Sequence, residues 1–211
     1  MVKSTSAYRT STADIVYYEV LPFTLAEMAT KVQVEVAFWN KKGEQTWKQK
    51  VTVPKDSTIA ELTEHMAGLV PMEGEPEPTG RLYLFQSYSN KVWSRPKPEE
   101  KVTRYASANS HTALVVQEVL PDEADIDLEA GDIVIPCVHL EYDQYARPFG
   151  TPFLLGVKAG TTLAALKARI KARLGVEDKE WETWKFAGVT YMAKHDFDDE
   201  EEDITTRRWT G

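Results

Sequence analysis

The chain carries one pattern twice, at a constant spacing of 104 residues. Residues 51–62, VTVPKDSTIAEL, read as the end of a strand and the start of a helix, and the same reading recurs at residues 155–166, LGVKAGTTLAAL. The shift sets Val53 on Val157, Thr58 on Thr162, Ile59 on Leu163, Ala60 on Ala164 and Leu62 on Leu166, then Met66 on Ile170 and Val70 on Leu174. It also matches Val34, Val36 and Phe38 with Val138, Leu140 and Tyr142, Arg81-Leu82 with Lys185-Phe186, and Phe85 with Val189. A period this long means two copies of a small domain, not a stack of short repeats. A length of 211 residues suits two domains of about 100 residues each, and a hydrophobic fraction of 42% can fill two cores.

Val32, Val34, Val36 and Phe38 alternate with polar residues and predict a half-buried strand. Lys41-Lys42-Gly43-Glu44 turns the chain, and Trp47, Gln49, Val51 and Val53 continue as the return strand, with Trp39 and Trp47 as a cross-strand pair. Thr58 and Glu61 form a capping box for a helix whose inner stripe is Ile59, Leu62, Met66 and Leu69. Pro71 stops that helix. Residues 81–88 read as a third strand, residues 91–93 as a short fourth, and residues 111–120 as a last strand. The consecutive Leu114, Val115 and Val116 in that last strand imply burial on both faces and a central place in the sheet. Two strands, a helix, a strand, a short strand and an inserted last strand describe a β-grasp, the ubiquitin-like fold. A ferredoxin-like unit would need a second helix per copy.

The second copy follows a linker at residues 121–132. Residues 133–142 are its first strand, Arg147-Pro148-Phe149-Gly150 its turn, and residues 152–157 its second strand. Thr161 or Thr162 caps a helix that turns Leu163, Leu166, Ile170 and Leu174 inward and Lys167, Arg169, Lys171 and Arg173 outward, and Gly175 ends it. Residues 184–191 form the third strand. By the repeat, the last strand should recur near residues 215–224, beyond Gly211. The expectation is therefore an α+β chain of two tandem β-grasp domains, the second short of its last strand, in a fragment or in a unit that closes atypically. Its divisions are a flexible segment at 1–16, a first domain at 17–120, an acidic linker at 121–132 and a second domain at 133–211.

The net charge of −8 is uneven. Residues 1–120 hold 14 acidic and 14 basic side chains, and residues 121–211 hold 19 and 11. A nucleic-acid surface would have the opposite sign, so no nucleic-acid partner is expected. No apolar run reaches the roughly 18 residues of a membrane helix, so no membrane partner is expected either. One cysteine rules out an internal disulfide framework and fits a reducing compartment, so the nucleus and/or cytoplasm is the expected location.

No catalytic residues, metal site or cofactor are read from the chain. Cys137 and His139 share a strand about 7 Å apart, too far for a thiol–imidazole hydrogen bond. His65, His111, His139 and His195 lack ligand spacing. The Asp125–Gly131 stretch lacks the glycine and closing glutamate positions of a calcium loop. The linker acids Asp122, Glu123, Asp125 and Asp127 are the candidate partner-binding residues, suited to a basic peptide, with a solvated interdomain corner as the alternative. Residues 196–203, seven acids in eight positions, read as a flexible loop or tail.

Tyr17-Tyr18-Glu19-Val20-Leu21, Glu118-Val119-Leu120-Pro121 with Asp125-Ile126-Asp127, Phe149-Gly150-Thr151-Pro152-Phe153-Leu154-Leu155 and Trp184-Lys185-Phe186-Ala187 form an ordered set. It resembles the C-terminal tandem ubiquitin-like domains of the herpesvirus-associated ubiquitin-specific protease (HAUSP) family and its plant counterparts. The resemblance covers roughly residues 14–203. It implies a non-catalytic regulatory and scaffold segment of a cysteine-type deubiquitinase. Such a segment would bind and modulate its own catalytic domain and recruit Lys/Arg-rich protein segments. The alternative is a free-standing ubiquitin-like adaptor that recruits basic peptide ligands.

Overall fold

The computed structural model describes residues 24–70, 79–106, 113–142, 146–189, 194–197 and 199–206. The expectations for residues 1–16 and for Tyr17 to Leu21 lie outside them. The chain is a mixed α+β fold, as expected.

A six-residue helix, α1 (Leu25–Thr30), enters first, with a Thr24/Glu27 capping box. Strands β1 (Lys31–Trp39) and β2 (Gln45–Pro54) form an antiparallel hairpin. Its turn is held by the Asn40 side-chain oxygen, which accepts from the backbone of Lys42 and Glu44, and by Gly43 at φ +80. Helix α2 (Ile59–Ala67) starts on the expected Thr58/Glu61 box and buries Ile59, Leu62 and Met66. It ends four residues before Pro71, with Gly68 as its cap. Past that end, Leu69 turns out to solvent and Val70 turns inward, contrary to the stripe expected from a longer helix. Strands β3 (Leu82–Tyr88) and β4 (Lys91–Ser94) join through Ser89 and Asn90, both at positive φ, the geometry of a tight two-residue hairpin turn. Strand β5 (Ala113–Glu118) then inserts between β1, in parallel, and β3, in antiparallel. The sheet order is β2-β1-β5-β3-β4, with the apolar strand in the centre as its composition predicts.

Period-two alternation divides this sheet cleanly. Val34, Val36 and Phe38, with Leu84, Leu114 and Val116, face α2 and form one core. Ala37, Trp39, Phe85 and Val115 point out of the back of the sheet. Trp39 packs edge-on against Phe85 at 5.4 Å. It sits opposite Gln45, while Phe38 sits opposite Trp47, so the expected Trp39–Trp47 pair does not form. The two tryptophans lie on opposite faces.

In the second half, β6 (Ile133–Tyr142) pairs with β7 (Ala146–Val157). Arg147 to Gly150 do not turn the chain; they lie within β7, with Gly150 at φ +67 beside a register shift. Ile135 stands opposite Leu155, just as Val34 stands opposite Val51. The counterparts of Val34, Val36 and Phe38 are therefore Ile135, Cys137 and His139, a shift of 101 residues, rather than Val138, Leu140 and Tyr142. The longer hairpin absorbs the difference. Helix α3 (Leu163–Leu174) is capped by Thr162 and closed by left-handed Gly175 as expected, and Leu163, Leu166 and Ile170 are buried. A short α4 (Asp178–Trp181) precedes β8 (Ala187–Val189) and β9 (Lys194–Asp196), so the third strand expected over residues 184–191 starts only at Ala187, and its last two residues lie outside the described ones.

The acidic stretch, where it is described, is held by backbone hydrogen bonds. Leu163 donates to the Glu202 carbonyl at 3.0 Å and Ala164 to the Glu200 carbonyl at 3.0 Å, while Ile204, fully buried, donates to Thr161 at 3.2 Å. The first half holds its own strap in the same way: Ile59 to Glu100 at 2.9 Å, Ala60 to Pro98 at 3.0 Å, and buried Val102 to Ser57 at 3.0 Å. Carbonyls at a helix start satisfy amides that lack intrahelical partners. Acidic side chains there also meet the positive end of the helix dipole, so the charge run is fixed by the helix it flanks and anchored by one apolar residue.

Candidate functional site: a buried polar joint between the halves

The back of the first sheet is covered by the second half. Residues Phe153, Leu155 and Val157 of β7 face the core under α3, so Leu154 must face the other way. It is fully buried against Ala37, Trp39, Phe85 and Val115. Burial of one such side chain contributes about 1.5–3 kcal/mol.

Among the described residues no strand pairs with the outer edge of β7 there, and side chains from the first half and the linker complete it. The Gln117 amide donates to the Leu154 carbonyl at 2.7 Å, and its oxygen accepts from the Leu154 N–H at 2.8 Å. One buried side chain thus replaces a neighbouring strand. One step along, the Gly156 N–H donates to the Glu123 carboxylate at 2.8 Å, and Arg169 donates to the Gly156 carbonyl at 2.8 Å. A Cβ at position 156 would come within 2.5 Å of the Tyr83 hydroxyl and 2.8 Å of Ile126, so any larger residue must push these side chains out of the joint.

Glu123 is the hub. Its side chain is fully buried, 3.6 Å from Arg169 and 3.8 Å from Arg173, with the Tyr83 hydroxyl alongside. Arg173 is itself buried and lies over the Phe153 ring at 4.7 Å. Arg169 and Arg173 thus face the joint rather than solvent, contrary to the outward reading of that helix face. Only Lys167 and Lys171 take the far side, over Phe186 and Trp181. Glu118 is buried as well, 3.4 Å from Lys41. Arg95 donates to the Val134 carbonyl at 3.2 Å, which adds a further tie across the joint.

Desolvation dominates the electrostatics. It raises the carboxyl pKa of Glu123 and of Glu118, against the pull of their cationic neighbours, and it lowers that of the Arg173 guanidinium. The Cys137 thiol is pushed up to about 12 by burial, so it is protonated at neutral pH and a poor nucleophile. His139 sits between the Phe149 and Trp184 rings at 5.5 and 4.9 Å, and burial lowers its pKa.

The four linker acids do not form one surface. Asp122 is exposed and accepts from Arg169 at 2.8 Å. Glu123 is buried in the joint and out of reach of a peptide. Asp125 pairs with Lys158. Asp127 accepts from the backbone of Glu129 and Ala130 and caps its own turn. Asp122, Asp125 and Asp127 are exposed, whereas Glu123 is buried in the joint. Gln117, Gly156, Tyr83 and Arg173 were not found from sequence. The one available signal was the polar pair Gln117-Glu118 inside an otherwise apolar strand.

Replacing Gln117 with Ala leaves the Leu154 N–H buried without a partner and its carbonyl with only the long bond from Arg173 at 3.4 Å. The expected loss is about 1–3 kcal/mol of unfolding free energy in urea, the cost of one orphaned buried group; a loss below about 0.5 kcal/mol would show that the bonds are dispensable. Glu123 and Glu118 have folded pKa values raised above their unfolded ones. Their contribution to stability is fully present below the ordinary carboxylate range, about pH 4.3, and is lost as the pH rises through the raised values. Asp125 and Asp132, lowered by Lys158 and by backbone bonds respectively, work in the opposite sense. Comparing the Glu123→Gln variant with the parent isolates one buried term. The parent should lose more stability than the variant as the pH rises above the ordinary carboxylate range; equal losses would contradict the assignment.

The sequence matches the family described as "Ubiquitin-specific protease C-terminal" over residues 15–210. It is 28% identical over 180 residues to ubiquitin C-terminal hydrolase 12 of Arabidopsis thaliana, covering 83% of this chain and 16% of that protein. It is 28% identical over 182 residues to ubiquitin carboxyl-terminal hydrolase 15 of Schizosaccharomyces pombe, with 86% and 16% covered. With ubiquitin carboxyl-terminal hydrolase 7 of Drosophila melanogaster it shares 28% identity over 192 residues, with 87% and 17% covered. The chain therefore spans about a sixth of the length of these relatives. It belongs to the ubiquitin-specific protease C-terminal family, the HAUSP type of C-terminal region.

Proposed function

We propose that this chain is a non-catalytic regulatory and scaffold segment of a ubiquitin-specific protease, built from two β-grasp units at about residues 17–120 and 133–211. It acts by presenting a fixed pair of domains to a catalytic domain and to protein partners, in the nucleus and/or cytoplasm. The joint is the observation that carries this reading. Buried groups from both halves tie the units into one body, which a scaffold needs and a flexible tether would not. The matching helix straps, Val102 with Ser57 and Ile204 with Thr161, support the two-unit division. Interdomain contacts this polar and this buried are costly to assemble, and they favour one relative orientation of the units.

Recruitment of basic segments by the linker is the second reading. It must work through Asp122 and Asp125, each already paired with a cation of its own chain. A basic ligand would have to displace those pairs, so its binding should weaken steeply with salt.

The regulatory reading is tested by adding the chain in trans to the catalytic domain of a family member and following cleavage of a ubiquitin–fluorophore conjugate. The expected result is saturable binding and a change in kcat/KM of about fivefold or more, within the usual range of coupling between sites. No binding together with an unchanged rate would overturn it.

A further inference from the structure

Helix α3 turns a second face outward, on the far side from Arg169 and Arg173. Ala164 and Ala168, one turn apart and both exposed, leave the helix surface low there. The chain returns over this face through α4 and the turn after it, where the Trp184 N–H donates to the Trp181 carbonyl at 3.0 Å. That turn gathers two indoles and the Phe186 ring: Trp181 stands 5.4 Å from Trp184 and 5.1 Å from Phe186. Glu200, whose carbonyl accepts from Ala164, adds its side chain to the rim. The result is an open groove of about 420 Å³ with an aromatic wall and an alanine floor, a volume within the range of small-ligand sites.

The chain's own lysines show what the wall attracts. The Lys167 ammonium lies over the Phe186 ring at 5.1 Å, and that of Lys171 over the Trp181 ring at 5.9 Å, both within reach of a cation–π contact. Each also pairs with a carboxylate, Lys167 with Glu200 and Lys171 with Asp178. The Lys171 pair is the looser one: the Asp178 side chain is 87% exposed, and exposed pairs hold weakly. Of the charged side chains that line the groove, this leaves Glu182, an exposed carboxylate with no ion pair among the described residues. The uncompensated charge on the rim is therefore negative, and the wall beside it offers π faces.

We propose that this groove seats a lysine or arginine side chain of a protein partner, and that Lys171 occupies the seat until the partner arrives. The incoming cation takes the place over Trp181, and its methylenes lie against Ala164 and Ala168. Its head group pairs with Glu182 and with the Asp178 that Lys171 gives up. These two acids stand one turn apart, with the Glu182 N–H donating to the Asp178 carbonyl at 3.0 Å. Arginine suits the wall better than lysine, because a planar guanidinium stacks on an indole and is less strongly hydrated. One cation replaces another, so the exchange is close to balanced and readily reversed. The seat shares the charge preference of the linker reading but none of its residues.

The indole N–H signals of Trp181 and Trp184, assigned by Trp181→Phe and Trp184→Phe, report on the groove in the isotope-labelled full chain. The probe is the end-blocked peptide Gly-Ser-Arg-Ser-Gly, with Gly-Ser-Glu-Ser-Gly as its acidic counterpart. The arginine peptide should shift both signals saturably, and the acidic one should leave them in place. Removing the competing ammonium with Lys171→Met should tighten binding of the arginine peptide about threefold, and Glu182→Gln should weaken it about threefold, the scale of one exposed cation–π contact or ion pair. A groove built for an anion would give the opposite sign at Lys171. Binding of the acidic peptide, binding that is unchanged or weaker in Lys171→Met, or indoles unmoved by the arginine peptide would each overturn the proposal. These readouts use the chain alone, so their failure leaves the protease assay and the linker reading as they stand.

Discussion

The structure depends on one side chain acting as a strand. Gln117 sits in the central strand of the first sheet, where its neighbours are valine and leucine, and its amide reads the Leu154 backbone as an adjacent β-strand would. A buried N–H and carbonyl without partners are expensive, so the outer edge of β7 could not lie against an apolar sheet without this bond. With it in place, Leu154 fills the space behind Trp39, Phe85 and Val115, and the two halves share a third core between their own.

Around that contact lies a polar set that is costly to assemble and specific once assembled. Glu123 accepts from Gly156 and lies close to two guanidinium groups, one of them nearly as buried as itself. Burial raises its pKa despite those cations. Pairs of this kind contribute little net stability against an apolar alternative, but they disfavour other arrangements of the same surfaces. That trade suits the scaffold role proposed above.

Much of the fold was legible in the sequence because local rules and burial agreed. The Thr58/Glu61 box, the Thr162 cap, Gly175 and the central apolar strand all appear where pattern places them. The misses have physical causes. Pro148 and Gly150 look like turn residues but sit in a long strand beside a register shift. The 104-residue shift, true for the helices, fails for β6 because the second hairpin is longer. Residues 196–203 look too charged to fold, yet their backbone serves a helix start and Ile204 pins them. The joint was the least legible part. Nothing in the spacing of Arg173 along α3 distinguishes it from Lys171, and only the packed partner decides which face of a helix is solvent. Glu123 looked like a surface acid for the same reason.

The most direct measurement is native-state hydrogen exchange at the Leu154 and Gly156 amides. If the joint makes one body of two units, both amides should exchange only through global unfolding, with protection matching that of Val36 and Phe38 in the first core. Exchange at Leu154 and Gly156 orders of magnitude faster than at those core amides would mean that the halves separate while folded, and would contradict the account.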